Sequence, residues 1–486
     1  MDSTTFPSQP VSLLGSIRAG KPIPGKDVGR EQDAEDRKIL LSAMPDNAQL
    51  RSYSLEVIMP GSHFYVRREH YAYIQELHLA LDKAVTDIVE RWYSDEKAGF
   101  PARMPLSENE DKLLRWIYGP GSEVVPPFKA HKGNWRPDYL LEKIVLPDGR
   151  VTENPRVCEI NARLPWNALI AIPHIGQAFE KLGIAKGGLS PAMSIAPKDT
   201  LTTLLGQFDD SKPLHFVNEK FAVKDPYWLA ELFQERTGQK TRFIKPSDLK
   251  WLPDDSPEGH AYGVFCPTED GTGVERVYQV DFELTQEEYS EIDFEILCHL
   301  APTSVNDPRT VFLVNDQRLL GIVYEELDNL VARNTLNQDQ AKVLRQGLAP
   351  SFLPSSSTWS KVVEQSRADP TAKDQWVLKY ARAGVSQGHV FGRVVDNNEW
   401  LEKLTAAQAS NSTPEQGSYV LQEYIDQLEF EIWHHLKQKI VVCHEVCSWF
   451  ACNGAFLGLG GVRMADLTVL ALSNGDGLGM VTITAA

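Results

Sequence analysis

Apolar positions recur at three- and four-residue steps over residues 69–97, at Ile74, Leu77, Leu81, Val85, Ile88 and Trp92, and predict a long helix with one buried face. Shorter helices are predicted over 108–117, ended by Gly119-Pro120-Gly121, and over 170–182. Between them the period changes to that of strands. Residues 136–141 and 157–163 read as two strands, with Pro147-Asp148-Gly149 a turn signal between them. Residues 187–197 read as a connection. From about Leu214 the pattern becomes strand, helix, strand: 215–217, 228–236 and 241–244, then a strand at 278–282 and a helix at 287–299. The apolar runs 310–315 and 319–327 and a polar helical run to Gln346 follow. Such alternation with short apolar strands predicts a parallel α/β layer, Rossmann-like, over 200–349.

Residues 1–45, rich in Pro, Gly, Ser and charge, are expected to be loosely held. Pro and Ser are again dense at 350–357 and mark a break. The remaining units are then 46–199, helices plus the hairpin, and 350–486. At 486 residues the chain exceeds one ordinary core, and about two to four domains are expected.

Composition adds exclusions. Hydrophobic residues make up 42% and charged residues 24%, as in a globular protein, and the formal net charge is -17. A polyphosphate backbone or an anionic membrane is therefore not an expected partner. No run approaches the ~20 apolar residues of a membrane span, and the N-terminus lacks a basic segment followed by an apolar one. Six cysteines in so long a chain fit a reducing compartment, and a cytoplasmic protein is expected. Cys443, Cys447 and Cys452 have no paired Cys-x-x-Cys spacing, and their segment alternates as a strand does, so they are expected in the core rather than on zinc.

Candidate chemistry centres on the hairpin. Side chains alternate along a strand, so Arg136 and Asp138 share one face, and Glu159, Asn161 and Arg163 share another that pairing can bring alongside it. Two carboxylates and an amide oxygen suit a hard cation such as Mg²⁺, and arginines suit phosphate or carboxylate. The same spacing also serves a salt-bridged solvent face. Further on, the strand Trp376-Val-Leu-Lys379 delivers a lysine ahead of Gly384-Val-Ser386-Gln387-Gly388 and Gly392. Amides of a Gly-rich turn bind phosphate oxygens and a lysine adds charge, but the lysine precedes the glycines, unlike a phosphate loop. A plain Gly-rich hairpin is the other reading. The strand 418–426 ends in acidic residues, and the tail carries Gly460-Gly-Val-Arg463.

The order of these motifs (Arg-x-Asp and Glu-x-Asn, a Rossmann-like insert, lysine with a Gly-rich loop, Gln-Glu-Tyr-Ile, a Gly/Arg tail) resembles the circularly permuted ATP-grasp ligases, such as eukaryotic glutathione synthetase and glutathionylspermidine synthetase. The resemblance spans roughly residues 60 to 480, in motif order. It implies an α/β fold with α+β elements: an ATP-grasp core, a Rossmann-like substrate domain and a Gly-rich lid within 350–486. It implies ATP and Mg²⁺ as cofactors, with Asp138, Glu159 and Asn161 on the metal. Arg136 and Arg463 would be catalytic. Lys379, Gly384, Ser386, Gln387 and Gly388 would lie on the phosphates, and Gln422, Glu423, Tyr424 and Ile425 on adenine. Arg163 and Trp166 would line the substrate pocket.

Two departures stand out. Ala383 stands where the family's loop usually carries a glutamate that completes the metal site. Asn315-Asp-Gln-Arg318 stands where a lysine is usual, so Arg318 is expected to supply that cation. The implied reaction joins a small carboxylate and an amine through an acyl phosphate, releasing ADP; a homodimer is admitted. Two other readings remain at this point: a nucleotide-binding protein without ligase chemistry that acts through partners, and a metal-dependent enzyme of another type.

Overall fold

The structure, a computed structural model, describes residues 7–45, 59–164, 166, 168–220, 224–254, 261–382, 387–409, 418–466 and 477–485. The chain begins with β1 (Gln9–Ser12), α1 (Leu13–Ala19) and α2 (Arg30–Ala43). The Ser12 hydroxyl accepts the Gly15 amide at the start of α1, and Gly20 ends it in the left-handed conformation. Val11, Leu13 and Leu40 are buried. This corrects the expectation of a loosely held segment over 1–45 for its described residues 7–45: Val11, Leu13, Leu14, Val28, Leu40 and Met44 are buried, a signal that the Pro and Gly content obscured.

Next come β2 (Ser62–Val66), α3 (Arg68–Glu90) and α4 (Glu108–Tyr118). Helix α3 buries the predicted stripe, with Ile74, Leu77, Leu81, Val85 and Ile88 at most 1% exposed. Each such side chain contributes roughly 1.5–3 kcal/mol. The helix stops at Glu90, short of the predicted end: the Trp92 amide bonds the Val89 carbonyl only three residues back, and turns follow, the last held by the Asp95 carboxylate on the Ala98 amide. The hairpin strands β3 (Asn134–Val145) and β4 (Val151–Asn161) follow, then α5 (Ala171–Leu182).

The parallel layer is smaller than expected. It comprises β5 (Leu214–Val217), β6 (Thr241–Ile244) and β7 (Gln279–Phe282) in the order β7-β5-β6, with α6 (Asp225–Thr237) between the first two. The remaining strands of this region form a separate three-stranded antiparallel sheet. Beyond Thr310 the chain is helical, through α7 (Arg318–Ala332) and α8 (Gln338–Gly347).

The expected unit over 350–486 divides. Its first part, α9 (Ser357–Ala368), β8 (Trp376–Tyr380), α10 (Asn397–Ala409) and β9 (Tyr419–Glu423), with the short strands Ser351–Phe352 and Val390–Phe391, builds a four-stranded sheet with its own core of Trp359, Leu378, Trp400, Leu404 and Leu421. The second part returns: β10 (Lys439–Cys452), β11 (Ala455–Ala465) and β12 (Leu478–Ala485) enter the large sheet, whose order runs β1-β2-β12-β11-β10-β3-β4. The expectation failed because β9 and β10 both read as apolar strands, and only pairing partners distinguish their sheets. Cys443, Cys447 and Cys452 lie buried on β10 as free thiols.

In the small sheet Gly392 allows close passage of two segments. A Cβ there would lie 1.9 Å from the Lys373 carbonyl oxygen. Gly392→Ala is expected to lower stability by about 1–3 kcal/mol, the usual range for overpacking. Proteolysis should then open the small sheet ahead of the large one; an unchanged cleavage pattern and denaturation midpoint would contradict the packing described.

Candidate active site between the hairpin and the small sheet

The hairpin register places Arg136 opposite Asn161 and Asp138 opposite Glu159, so all four side chains share one face. A bulge follows immediately after Asp138. Asp138 has no exposed surface, and both its oxygens are engaged. Oδ1 accepts Arg136 Nε at 3.0 Å and the Ser448 hydroxyl at 2.7 Å; Oδ2 accepts Arg136 Nη2 at 3.1 Å, Asn161 Nδ2 at 3.0 Å and Arg463 Nη2. Burial alone would raise the Asp138 carboxyl, but the Arg136 and Arg463 guanidiniums and the Ser448 hydroxyl override it and hold it well below the usual carboxylate range. Asp138 thus clamps two arginines. That corrects its reading as a metal ligand: a carboxylate with all its acceptor sites spent on guanidinium, hydroxyl and amide donors has none to offer a cation.

Glu159 differs. Its contacts, to Asn161 at 3.3 Å and to Gln317 and Lys379 at 3.4 Å, are long, and its side chain is 26% exposed. Lys379 arrives on β8, as expected, and its ammonium also donates to the Cys158 carbonyl at 2.9 Å. Gln422 on β9 donates to the same carbonyl at 3.2 Å and to the Ser351 hydroxyl at 2.9 Å. One carbonyl oxygen of the hairpin therefore ties down two strands of the small sheet. Of the adjoining hinge residues, Glu423 and Tyr424 have their backbone N–H groups on the Pro350 and Gln375 carbonyls, which narrows the expected adenine contacts to Ile425 and the carbonyl oxygens.

Glu159, Ile160, Asn161, Arg163, Asn315, Gln317, Ala381 and Arg382 line an open cleft at this junction. The Glu159 carboxylate, the Asn161 amide and the orphaned buried Gln317 Oε1 gather there. They are hard oxygen donors of the kind Mg²⁺ takes, so the residues present fit such an ion.

Arg318, expected to supply a cation to the nucleotide, is buried in an ion pair outside the cleft lining. It is 2% exposed and grips Asp316 through Nε at 2.9 Å and Nη2 at 2.7 Å, with a further bond to the Pro105 carbonyl. Asp316 also accepts Arg382 Nε at 2.8 Å, and Arg382 reaches both oxygens of Glu110 at 2.8 Å. This buried chain of charges anchors the base of the Gly-rich loop to α4. Arg382, Asp316, Glu110 and Ser448 were missed by sequence reasoning. The signal was present in Asp316-Gln-Arg318, a two-residue spacing repeated in Asp307-Pro-Arg309, where the same fork forms.

Gly384, Ser386 and Ala383 lie outside the described residues. Gln387 and Gly388 are exposed at the loop's end. Just beyond, burial and the nearby Lys379 ammonium push the His389 imidazole down to about 3, so it is neutral. Arg163 lines the cleft. Trp166 does not: it is fully buried behind it, with its indole N–H on Asp281.

No helix among the described residues is long and apolar enough to cross a membrane. The fold matches that of a glutathione synthetase-like effector from Globodera pallida, solved in its apo form. The TM-score is 0.54 at 12% identity, over 92% of this chain and 96% of that one. The large sheet, the parallel layer and the small sheet closing over a hairpin thus form an α/β fold of the glutathione synthetase-like ATP-grasp class. Within that class the chain belongs to the family of the ATP-grasp enzyme ankG: it is 30% identical to ankG of Aspergillus thermomutatus over 478 residues, 93% of this chain and 94% of that protein. Residues 77–313 match the AnkG N-terminal domain family.

Proposed function

We propose that the protein is an ATP-dependent carboxylate–amine ligase that forms an amide bond through an acyl phosphate and releases ADP and phosphate. The observation that carries this reading is the meeting of Glu159, Asn161, Lys379, Arg136 and Arg463 on one face of the hairpin, where Glu159 and Asn161 also line the cleft. Magnesium, when bound, would neutralise phosphate oxygens, and Glu159, Asn161 and Gln317 would hold it. Lys379 would bind the phosphates, and the Gly-rich loop after Arg382 would exclude water, because an acyl phosphate exposed to water hydrolyses. Arg136 and Arg463, fixed by Asp138, would stabilise charge on the moving phosphoryl group at no reorganisation cost. The carboxylate's oxygen attacks the γ-phosphorus and expels ADP; the amine then attacks the acyl carbon, loses a proton and expels phosphate. Six free thiols support a reducing compartment such as the cytoplasm.

The test incubates labelled ATP with a panel of carboxylates and amines. ADP should appear in proportion to amide, and only when both partners are present. AMP with pyrophosphate would refute the acyl phosphate, and ADP without amide would favour nucleotide binding without ligation.

A further inference from the structure

Behind the cleft wall lies a second group of charges that the ligase chemistry does not use. Asp281 on β7 and Glu283 immediately after it are two residues apart and so point the same way. They lie at the carboxyl end of β7, beside β5, where open parallel sheets receive their ligands. Asp225, the first residue of α6, is the third carboxylate of the group. All three have no exposed surface.

Their satisfaction is uneven. Asp225 accepts the amides of Ala168, Ile170 and Ala171. Asp281 takes the Trp166 indole on Oδ2, while its Oδ1 has no partner. Neither oxygen of Glu283 has a hydrogen bond of ordinary geometry; the Trp166 backbone amide and the Arg163 guanidinium are its favourable neighbours. Arg163 supplies one positive charge against three carboxylates, and its Nε is itself unpartnered. Arg163 also lines the cleft, so the group begins one side chain behind the place where substrates enter.

A buried carboxylate with no donor is costly, and such groups are kept where something else completes them. Burial, reinforced for Glu283 by Asp281 and Asp225, raises both the Asp281 and Glu283 carboxyls, which is the direction a missing counter-charge produces. A cation of ammonium or guanidinium type would supply donors to these oxygens and a counter-charge to the pair.

We propose that Glu283 and Asp281 form a subsite for a cationic group of the substrate, remote from its reacting end, reached past Arg163. The assignment of that molecule as a ligation substrate rests on the ligase reading; the subsite itself is testable by binding alone. The ligand would be a molecule with a positively charged arm, and Arg163, which repels that arm, would have to swing aside to admit it.

The test uses a matched pair of probes, L-lysinamide and L-norleucinamide, which share a backbone and chain and differ in the terminal ammonium. Calorimetric titration of the full chain should show L-lysinamide binding at least about tenfold more tightly than L-norleucinamide. Glu283→Gln should abolish that preference, and Asp281→Asn should reduce it. ATP with Mg²⁺ should raise the melting temperature of both variants as it does that of the wild type, which shows that they are folded with an intact nucleotide site. No preference in the wild type, or a preference that survives Glu283→Gln, would overturn the proposal. A preference that depends on Glu283 in a protein that makes no amide would retain the subsite and remove the ligase reading.

Discussion

Asp138→Ala is expected to cost about 3–5 kcal/mol of stability, the range for removing one partner of a buried ion pair, and to remove activity with it. The large value follows from what stays behind: Arg136 and Arg463 would face each other with their shared counter-charge gone, and the Ser448 hydroxyl would lose its acceptor. Asp138→Asn keeps the shape and two acceptor lone pairs but not the charge, so it should fall between alanine and wild type. A group held below its ordinary range stabilises the fold above its unfolded-state pKa, and that contribution fades as pH falls through the depressed range. The wild type should therefore lose more stability than Asp138→Asn between pH 5 and pH 2. Denaturation midpoints across that range check both statements. An alanine variant with an unchanged midpoint would remove the clamp from the account.

Glu159→Gln should do the opposite: leave stability nearly intact and lower turnover by about a hundredfold or more, the loss typical when one charge-stabilising contact is removed. Glu159 makes only contacts of 3.3–3.4 Å and is partly exposed, so glutamine can occupy its place without leaving a buried charge unpaired. What it cannot supply is the negative charge that a divalent cation and Lys379 both require. Turnover of ATP with the midpoint measured in parallel separates the two effects. Near-wild-type turnover would refute the assignment of Glu159 to the metal.

These two acidic residues also show what the sequence made legible. Alternation along two short strands was enough to place Arg136, Asp138, Glu159 and Asn161 on one face, since register within a hairpin is local. The spacing could not say that Asp138 would be saturated. Its partners Ser448 and Arg463 lie on strands whose pairing with β3 and with each other depends on the whole sheet. Arg318 was misread for a related reason: a cation near a nucleotide motif looks available until its acid, here Asp316 two residues earlier, is seen to claim it. The long helix α3 was readable from its stripe, and its end was not, because the apolar stripe runs on through Trp92, where the backbone has already tightened into turns. The division of 350–486 between two sheets was invisible for want of any local signal.

The separation of 325 residues between Asp138 and Arg463 sets a schedule for the chain's synthesis. At about 5–20 residues per second, the hairpin leaves the ribosome roughly 15–65 s before β11 does. For that interval β3 has β4 on one side and an open edge on the other, where β10 will later pair. The nascent chain therefore carries an unpaired strand edge and an acid that has met only one of its two arginines. The Asp138 clamp also stays open in this state, because the strand that brings Arg463 to Asp138 has not yet been made. Completion of the large sheet thus sets the moment at which the clamp closes, when β10 and β11 are in place.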